Sequence, residues 1–269
     1  MKVSELAALL NRFKLEMQPL EDPEWIALNR KSAMLFGQGK YLEAATAAND
    51  SLRAAEQALG PDHPGVATSL NNLGMLCYAR EQFEKAEPLH QRALAIREKA
   101  FGPNHPDVAQ SLNNLGIVYS ALGKLAKAES LLQRALAIRT ENLGIDHPQV
   151  ATTIDNLASL YDDQGQTAKA EPLYGRALAI RTETLGTDHP DVATSLNNLA
   201  YSYLQQRQYA KAKPLFLRAL AIQEKSLGPH HPDVATSLNN LDELYRGTGR
   251  AKLANKSRDR AQKIHATRR

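Results

Sequence analysis

Apolar residues recur at helical spacing along most of the chain. In the stretch 103–144, two stripes with steps of one, three or four residues each fall on one side of a helix. The first stripe comprises Leu112, Leu115, Gly116 and Tyr119, and the second comprises Ala128, Leu132, Ala135 and Ile138. No stretch alternates between apolar and polar residues in the way that strands do. The pattern therefore predicts pairs of amphipathic helices.

This pair of helices is repeated every 42 residues. His-Pro marks the repeat at His63, His105, His147, His189 and His231. Such a period indicates a repeat architecture, and it defines the expected units along the chain. They are an N-terminal helical segment at 1–20, a degenerate capping unit at 21–60, four full units at 61–102, 103–144, 145–186 and 187–228, and a diverged unit with a basic capping helix at 229–269.

Proline and glycine mark the expected helix ends. Proline suits the first helical position, where its missing N–H is not needed. A glycine follows the second helix of each unit, and a glycine beyond a helix end commonly adopts the left-handed conformation that closes the last carbonyls. These glycines are Gly60, Gly102, Gly144, Gly186 and Gly228.

Two helices cannot bury their apolar stripes by themselves, but stacked neighbours can. The expected fold is therefore all-α: an elongated solenoid of about six helix-turn-helix units with a continuous core. The terminal units differ from the middle ones, as capping units must.

The sequence of one unit resembles the tetratricopeptide repeat (TPR). On the first helix, the motif is a large residue, then leucine, then glycine or alanine, then tyrosine. On the second helix, it is alanine, then leucine or an aromatic residue, then alanine. The segment LNNLGIVYSALGKLAKAESLLQRALAIR at 112–139 shows both motifs. The 42-residue period and the phrase LGxDHPDVAxSLNNLA are similar to the kinesin light chain subtype. The resemblance covers about residues 21–265. It implies a right-handed superhelix whose concave groove binds peptides or proteins, and it implies no catalysis.

Residues opposite the core stripe of each first helix would line that groove. On a helical wheel, an asparagine occupies this face in five units, whereas its neighbours vary. The candidate peptide-binding residues are Asn72, Met75, Asn114, Ile117, Asn156, Ser159, Asp162, Asp163, Asn198, Tyr201, Gln205 and Asn240. The varying positions, such as Met75 and Tyr201, would recognise ligand side chains.

Two interpretations of the asparagine series stay open. An amide has donors and an acceptor, so Asn72 and its equivalents would grip the backbone of an extended peptide. Alternatively, these asparagines bond between neighbouring repeats and need no ligand. A second series flanks the groove closer to the seam between helices, and for it the structural role is favoured. It comprises Asn71, Asn113, Asp155, Asn197 and Asn239.

Charge in the groove bears on the partner. The middle unit supplies Asp155, Asp162 and Asp163, and no lysine or arginine occupies the groove positions of the first helices. Kinesin light chains bind acidic peptides through basic groove residues, and that pattern is missing here. We therefore expect a protein or peptide partner that is extended and has a basic side chain near the central repeat. The likeness of the units also predicts self-association through the end repeats.

The C-terminal stretch 246–269 carries nine lysines and arginines against Asp259 alone. A solvated capping helix is the favoured interpretation. The alternative is contact with nucleic acid or an anionic membrane, although no aromatic residue is interleaved to stack on bases. The whole chain has a net charge of +4, which gives no strong case for a polyanionic partner.

The repeats indicate no catalytic residue, metal or cofactor, and we do not expect an enzyme. Every candidate acid, base or nucleophile recurs at 42-residue steps, whereas an active site needs unlike groups together. The histidines would lie on the order of 10 Å apart, too far for one ion, so a cap or loop role is expected. Cys77 replaces a core tyrosine and is interpreted as a buried thiol. This single cysteine and the lack of any apolar run near ~20 residues favour the cytoplasm.

Overall fold

The computed structural model describes residues 23–266, and these form twelve α-helices with no strand. The helices are α1 (Glu24–Gly37), α2 (Tyr41–Leu59), α3 (Pro64–Ala79), α4 (Phe83–Phe101), α5 (Pro106–Ala121), α6 (Leu125–Leu143), α7 (Pro148–Asp163), α8 (Thr167–Leu185), α9 (Pro190–Gln205), α10 (Tyr209–Leu227), α11 (Pro232–Gly247) and α12 (Ala251–Ala266). They pair into six helix-turn-helix units, so the predicted all-α solenoid is confirmed. The predicted segment 1–20 lies outside the described residues, and the unit boundaries stay predictions.

Histidine caps the first helix of each unit from the second unit onward. In α7, Pro148 occupies the first turn and His147 is the N-cap residue in an extended conformation. Its Nδ1 atom accepts a hydrogen bond from the backbone N–H of Gln149 at 3.1 Å. That bond satisfies one of the N–H groups that a helix start leaves without a partner. The equivalent caps are His63, His105, His189 and His231. The cap role expected from the sequence is therefore confirmed.

The glycines after the second helices do not adopt the predicted left-handed helical conformation. Gly144 has φ +87° and ψ +158°, so its φ is positive but its ψ is extended. This region is essentially restricted to glycine, because a Cβ atom would clash with the backbone there. A left-handed turn closes the first helices instead: Gly123 has φ +69°, and Lys124 donates to the carbonyl of Tyr119 at 2.8 Å.

The core includes clusters that cross the boundaries between units. Within one unit, Leu112 on α5 packs with Ile138 on α6. A larger cluster joins Leu132 on α6 with Leu157 on α7 and Leu199 on α9, and so spans three units. Gly116 permits the close approach of α5 and α6, because a Cβ atom there would lie 2.8 Å from Leu132. Each unit therefore completes its neighbour's core, as expected of stacked repeats.

The first helices lie on the inner side of the stack. First helices of successive units, such as α5 and α7, come within 8 Å of each other between Cα atoms, whereas successive second helices in the range 23–266 do not. Long side chains bridge the second helices instead, as in the 2.7 Å ion pair of Arg134 with Glu98. The closer spacing curves the stack toward the first helices, so that these helices line its concave face.

Candidate functional site: the groove of the first helices

Four cavities lie in sequence along the concave face, with volumes of about 160, 270, 200 and 470 Å³ from the N-terminal to the C-terminal end. The first two share Asn72 and Met75, and the last two share Asn156 and Ser159. We call this row of cavities the groove. It contains ten of the twelve predicted residues: Asn72, Met75, Asn114, Ile117, Asn156, Ser159, Asp163, Asn198, Tyr201 and Asn240.

The asparagines of the groove also bond between repeats. The amide nitrogen of Asn72 donates to Asn29 of the preceding unit at 2.9 Å, and that of Asn156 donates to Asn113 at the same distance. The amide of Asn114 accepts instead from Gln110 on its own helix, at 2.9 Å. Each amide nitrogen has two hydrogens, so these bonds use only one donor of Asn72 and of Asn156.

The flanking series forms the seam beneath the groove. The amide nitrogen of Asn71 donates to Ser111 of the next unit at 3.2 Å, and that of Asn197 donates to Ser237 at 2.7 Å. Both asparagines are buried, as are Asn113 and Asp155, whereas Asn239 is exposed. These contacts agree with the structural role that the sequence favours for this series.

Three buried arginines reach the seam from the second helices, and the sequence analysis missed them. Arg97 donates from Nη1 to the carbonyl of Asp107 and to Ser111 Oγ, both at 3.0 Å, and it lines a groove cavity. Arg139 and Arg181 follow at 42-residue steps. All three stand directly after the repeated segment RALAI, so this recurrence was the signal that could have revealed them. Arginines of the second helices therefore lie beneath the groove, on the side that we call its floor.

These arginines are bound within the protein. Arg139 donates to Thr153 and to Gln110 of its own unit, both at 2.6 Å, and burial lowers its pKa to about 10. Arg181 pairs with Asp155, whose own pKa is raised by burial against the opposing effect of that guanidinium. Through their Nη atoms, which donate to the seam, Arg139 and Arg181 hold neighbouring repeats together.

The two candidate acids of the middle unit lie in different environments. Asp163 is exposed and lines the groove beside Ile117. Asp162 is half-buried, and burial raises its pKa, although hydrogen bonds from Ser202 and Tyr174 lower it. Asp163 accepts a hydrogen bond from Ser120 Oγ at 3.3 Å, but it is exposed and is therefore the carboxylate of this pair that a ligand can reach.

The sequence model of the tetratricopeptide repeat family matches residues 26–99, 76–141, 121–183, 163–225 and 191–264. The chain belongs to the tetratricopeptide repeat family. No curated protein matches the chain.

Solved structures place this TPR protein among those of the kinesin light chain-like kind. BtubC (BKLC) from P. vanneervenii has a TM-score of 0.64 at 26% identity, over 86% of this chain and 91% of that one. A candidate kinesin light chain from Podosopora anserina with nearly identical TPR-like repeats has a TM-score of 0.58 at 27% identity, over 77% and 99%. A Rap protein complexed with Competence and Sporulation Factor shares the fold, with a TM-score of 0.69 at 16% identity, over 100% and 83%.

The basic helix α12 is the last described helix of the TPR stack. In α12, Ala254, Ala261 and Ile264 are buried, whereas Lys252 and Lys256 lie on the exposed side. This division agrees with the predicted capping helix. Contact of the exposed lysines with nucleic acid or an anionic membrane stays a prediction, and Arg268 and Arg269 lie outside the described residues.

The remaining predictions concern the surface and the single cysteine of the TPR stack. Burial raises the pKa of Cys77, which is partly buried, and a raised pKa does not favour a nucleophilic thiolate. Residues 23–266 include no helix long and apolar enough to span a bilayer. Self-association through the end repeats stays a prediction. The first of these repeats exposes four apolar side chains, which are Met34, Phe36, Tyr41 and Leu42.

Proposed function

We propose that the protein is a scaffold that holds an extended segment of a protein partner in the groove. The observation that carries this proposal is the row of cavities along the first helices. Its lining residues come from all six described units, so it is long enough to receive an extended chain. Kinesin light chain-like proteins, to which the chain is similar, belong to a family of interaction scaffolds that are typically not enzymes.

The groove offers two kinds of contact to such a segment. The second N–H groups of Asn72 and Asn156 would bind peptide carbonyls, whatever the side chains of the ligand. Side chains that differ from unit to unit would provide selectivity. Met75 and Tyr201 are exposed in the groove at 39% and 45%, and large apolar side chains of this kind anchor partners well.

The accessible charge favours a partner with a basic residue. Asp163 lies in the groove near the central repeat, and the arginines of the groove floor are engaged in bonds within the protein. An acidic segment would therefore meet no free cation in the central part of the groove. This supports a basic side chain opposite the middle unit.

The proposal is tested by selecting ligands from a displayed library of random dodecapeptides. The selection is repeated with a Met75→Ala/Tyr201→Ala variant, in which two exposed groove side chains are shortened. The matched control is Leu217→Ala/Leu253→Ala, which shortens two exposed apolar side chains of second helices.

The expected result is that peptides selected by the unmodified protein lose at least about tenfold in affinity for the groove variant and none for the control. Equal losses in both variants, or no enrichment of any peptide, would overturn the proposal. Circular dichroism and urea unfolding of both variants show that the fold is retained.

A further inference from the structure

The series of buried arginines ends at Gln223. This residue follows the fourth RALAI segment, where the three preceding units have arginine. Its hydrogen bonding is also reversed: Gln223 Oε1 accepts from Ser237 Oγ at 2.6 Å, whereas Arg139 donates to the equivalent hydroxyl of Thr153. A glutamine is shorter than an arginine and has no charge. The position of one guanidinium is therefore left open in this unit.

One acceptor beside this open position lacks a donor, whereas its equivalents Asn71 and Asn113 bond with His90 and Asn156. In the unit before, the carboxylate of Asp155 receives the guanidinium of Arg181. The residue 42 positions later is Asn197, which is 9% exposed, and its Oδ1 atom is buried and accepts no hydrogen bond from any described residue. Such an atom carries the cost of desolvation without compensation. A ligand that donates to it gains correspondingly.

The largest cavity of the groove opens at this place. It measures about 470 Å³, and its lining includes Asn197, Gln223, Thr194 and the carboxylates of Asp155 and Asp233. Neither lysine nor arginine is among the described residues that line it. The ring of Tyr201 also borders the cavity and is 45% exposed. The cavity thus combines neutral acceptors, the carboxylate of Asp233, that of Asp155 already paired with Arg181, and an aromatic face.

We propose that this cavity binds the guanidinium of an arginine side chain in the peptide partner. The ligand arginine would take the place that Arg181 occupies one unit earlier and would donate to Asn197 Oδ1. This inference rests on the proposed function and makes it more specific, because it names an arginine of the partner and a pocket for it, in the cavity next to the one that Asp163 lines.

The lining of the cavity suits arginine better than lysine. A guanidinium is a planar fork with five N–H donors, so it can bond to the Asn197 carbonyl and the Thr194 hydroxyl together, as Arg181 does with Asp155 and Thr152. A guanidinium also stacks on aromatic rings, and Tyr201 offers such a face. The ammonium of lysine is a compact charge that has neither the planar fork nor the flat face of a guanidinium.

The test uses three capped pentapeptides, Ala-Ala-Xaa-Ala-Ala, in which Xaa is arginine, lysine or citrulline. Citrulline has nearly the shape of arginine but carries no charge. Binding to the full chain is measured from chemical-shift changes on titration. The arginine peptide is expected to bind about tenfold more tightly than the citrulline peptide, because charge-assisted hydrogen bonds are about twice as strong as neutral ones. The lysine peptide should fall between them.

Gln223→Arg supplies the missing guanidinium from the protein itself. It should abolish binding of the arginine peptide while keeping or raising the stability, since three other units carry arginine here. Gln133→Arg, which adds the same charge at an exposed position of α6, should leave binding unchanged. Asn197→Asp provides an independent check and should tighten binding of the arginine peptide at least about threefold.

Equal binding of the arginine and citrulline peptides would overturn the inference, as would unchanged binding to Gln223→Arg. These outcomes are distinct from failure of the proposed function. If library-selected peptides bind in the groove but are insensitive to Gln223→Arg, the scaffold function stands and the arginine pocket does not. If no peptide is selected at all, the proposed function fails, and the pentapeptide titration still decides whether the pocket binds a guanidinium.

Discussion

Arg181 and Asp155 form an ion pair in which both side chains are almost fully buried, at 6% and 5% exposure. Arg181 also donates to Ser195 of the next unit and to Thr152 of its own, so that one guanidinium connects two repeats. Burying two opposite charges gives little net stability, but removing one partner leaves the other uncompensated. The pair therefore makes the junction between these repeats sensitive to single substitutions.

The first prediction concerns this junction. Arg181→Gln should lower the free energy of unfolding by about 3–5 kcal/mol, because the carboxylate loses its counter-charge. Asp155→Asn should cost less, since the preceding unit has an asparagine, Asn113, at the equivalent position. The double variant reproduces the combination of Gln223 and Asn197 in the next unit. Its cost, measured by urea unfolding, should be smaller than the sum of the two single costs; an additive result would show that the pair is not coupled.

The second prediction is a pH dependence that comes from His90. Burial lowers its pKa to about 4, and its Nδ1 atom bonds with Asn71 Oδ1 at 2.8 Å. An unfolded histidine has a pKa of about 6.5, so between about pH 6.5 and 4 the unfolded chain binds a proton that the native protein does not. The stability is therefore complete above about pH 6.5 and falls by about 3 kcal/mol as the pH drops to 4.

A variant at the same position isolates this contribution. Leu132, Tyr174 and Phe216 are the equivalents of His90 in the next units, so His90→Leu fits the pattern of the core. The difference in unfolding free energy between the native protein and the variant should change by about 3 kcal/mol between about pH 6.5 and 4. A constant difference from pH 7 to 4 would contradict the assigned pKa, whatever the absolute stability of the variant.

The third prediction distinguishes two kinds of glycine. Gly144→Ala should destabilise the protein by about 1–3 kcal/mol, because φ +87° with extended ψ is strained for any residue with a Cβ atom. Gly175 lies inside α8 with open space around it, so Gly175→Ala should raise the stability by up to about 1 kcal/mol. Thermal unfolding of the two variants should show shifts of opposite sign; a neutral Gly144→Ala would mean that the turn has a second accessible conformation.

The fold was predictable because one local signal is repeated. A 42-residue period fixes the helix pairs, and the direction of a side chain on a helix follows from its 100° step, so ten of the candidate residues could be placed in the groove. The conformation of Gly144 was predicted wrongly, since glycine composition indicates a positive φ but does not determine ψ. That angle depends on how the next unit docks.

The seam was the part that the sequence analysis did not resolve. Whether Asn156 bonds to Asn113 depends on the distance between repeats, and a wheel drawn for one helix contains no such distance. Arg97 was missed for a related reason. A wheel of the first helices excludes side chains of the second helices, yet a long arginine reaches from one layer to the other. Comparison of equivalent positions across all units would have revealed both Arg97 and the exception at Gln223.

The last prediction concerns charge in the groove. A library-selected peptide with a basic residue should bind Asp163→Asn more weakly, by up to about fivefold, because a partly solvated ion pair contributes about 0.2–1 kcal/mol. Its affinity should also depend less on salt, since screening at physiological ionic strength acts over about 8 Å. Asp146→Asn removes an exposed carboxylate from the loop before α7 and serves as the control. If both variants bind the peptide with unchanged affinity and unchanged salt dependence, Asp163 does not face the basic residue of the ligand, and the partner's charge must be recognised elsewhere in the groove.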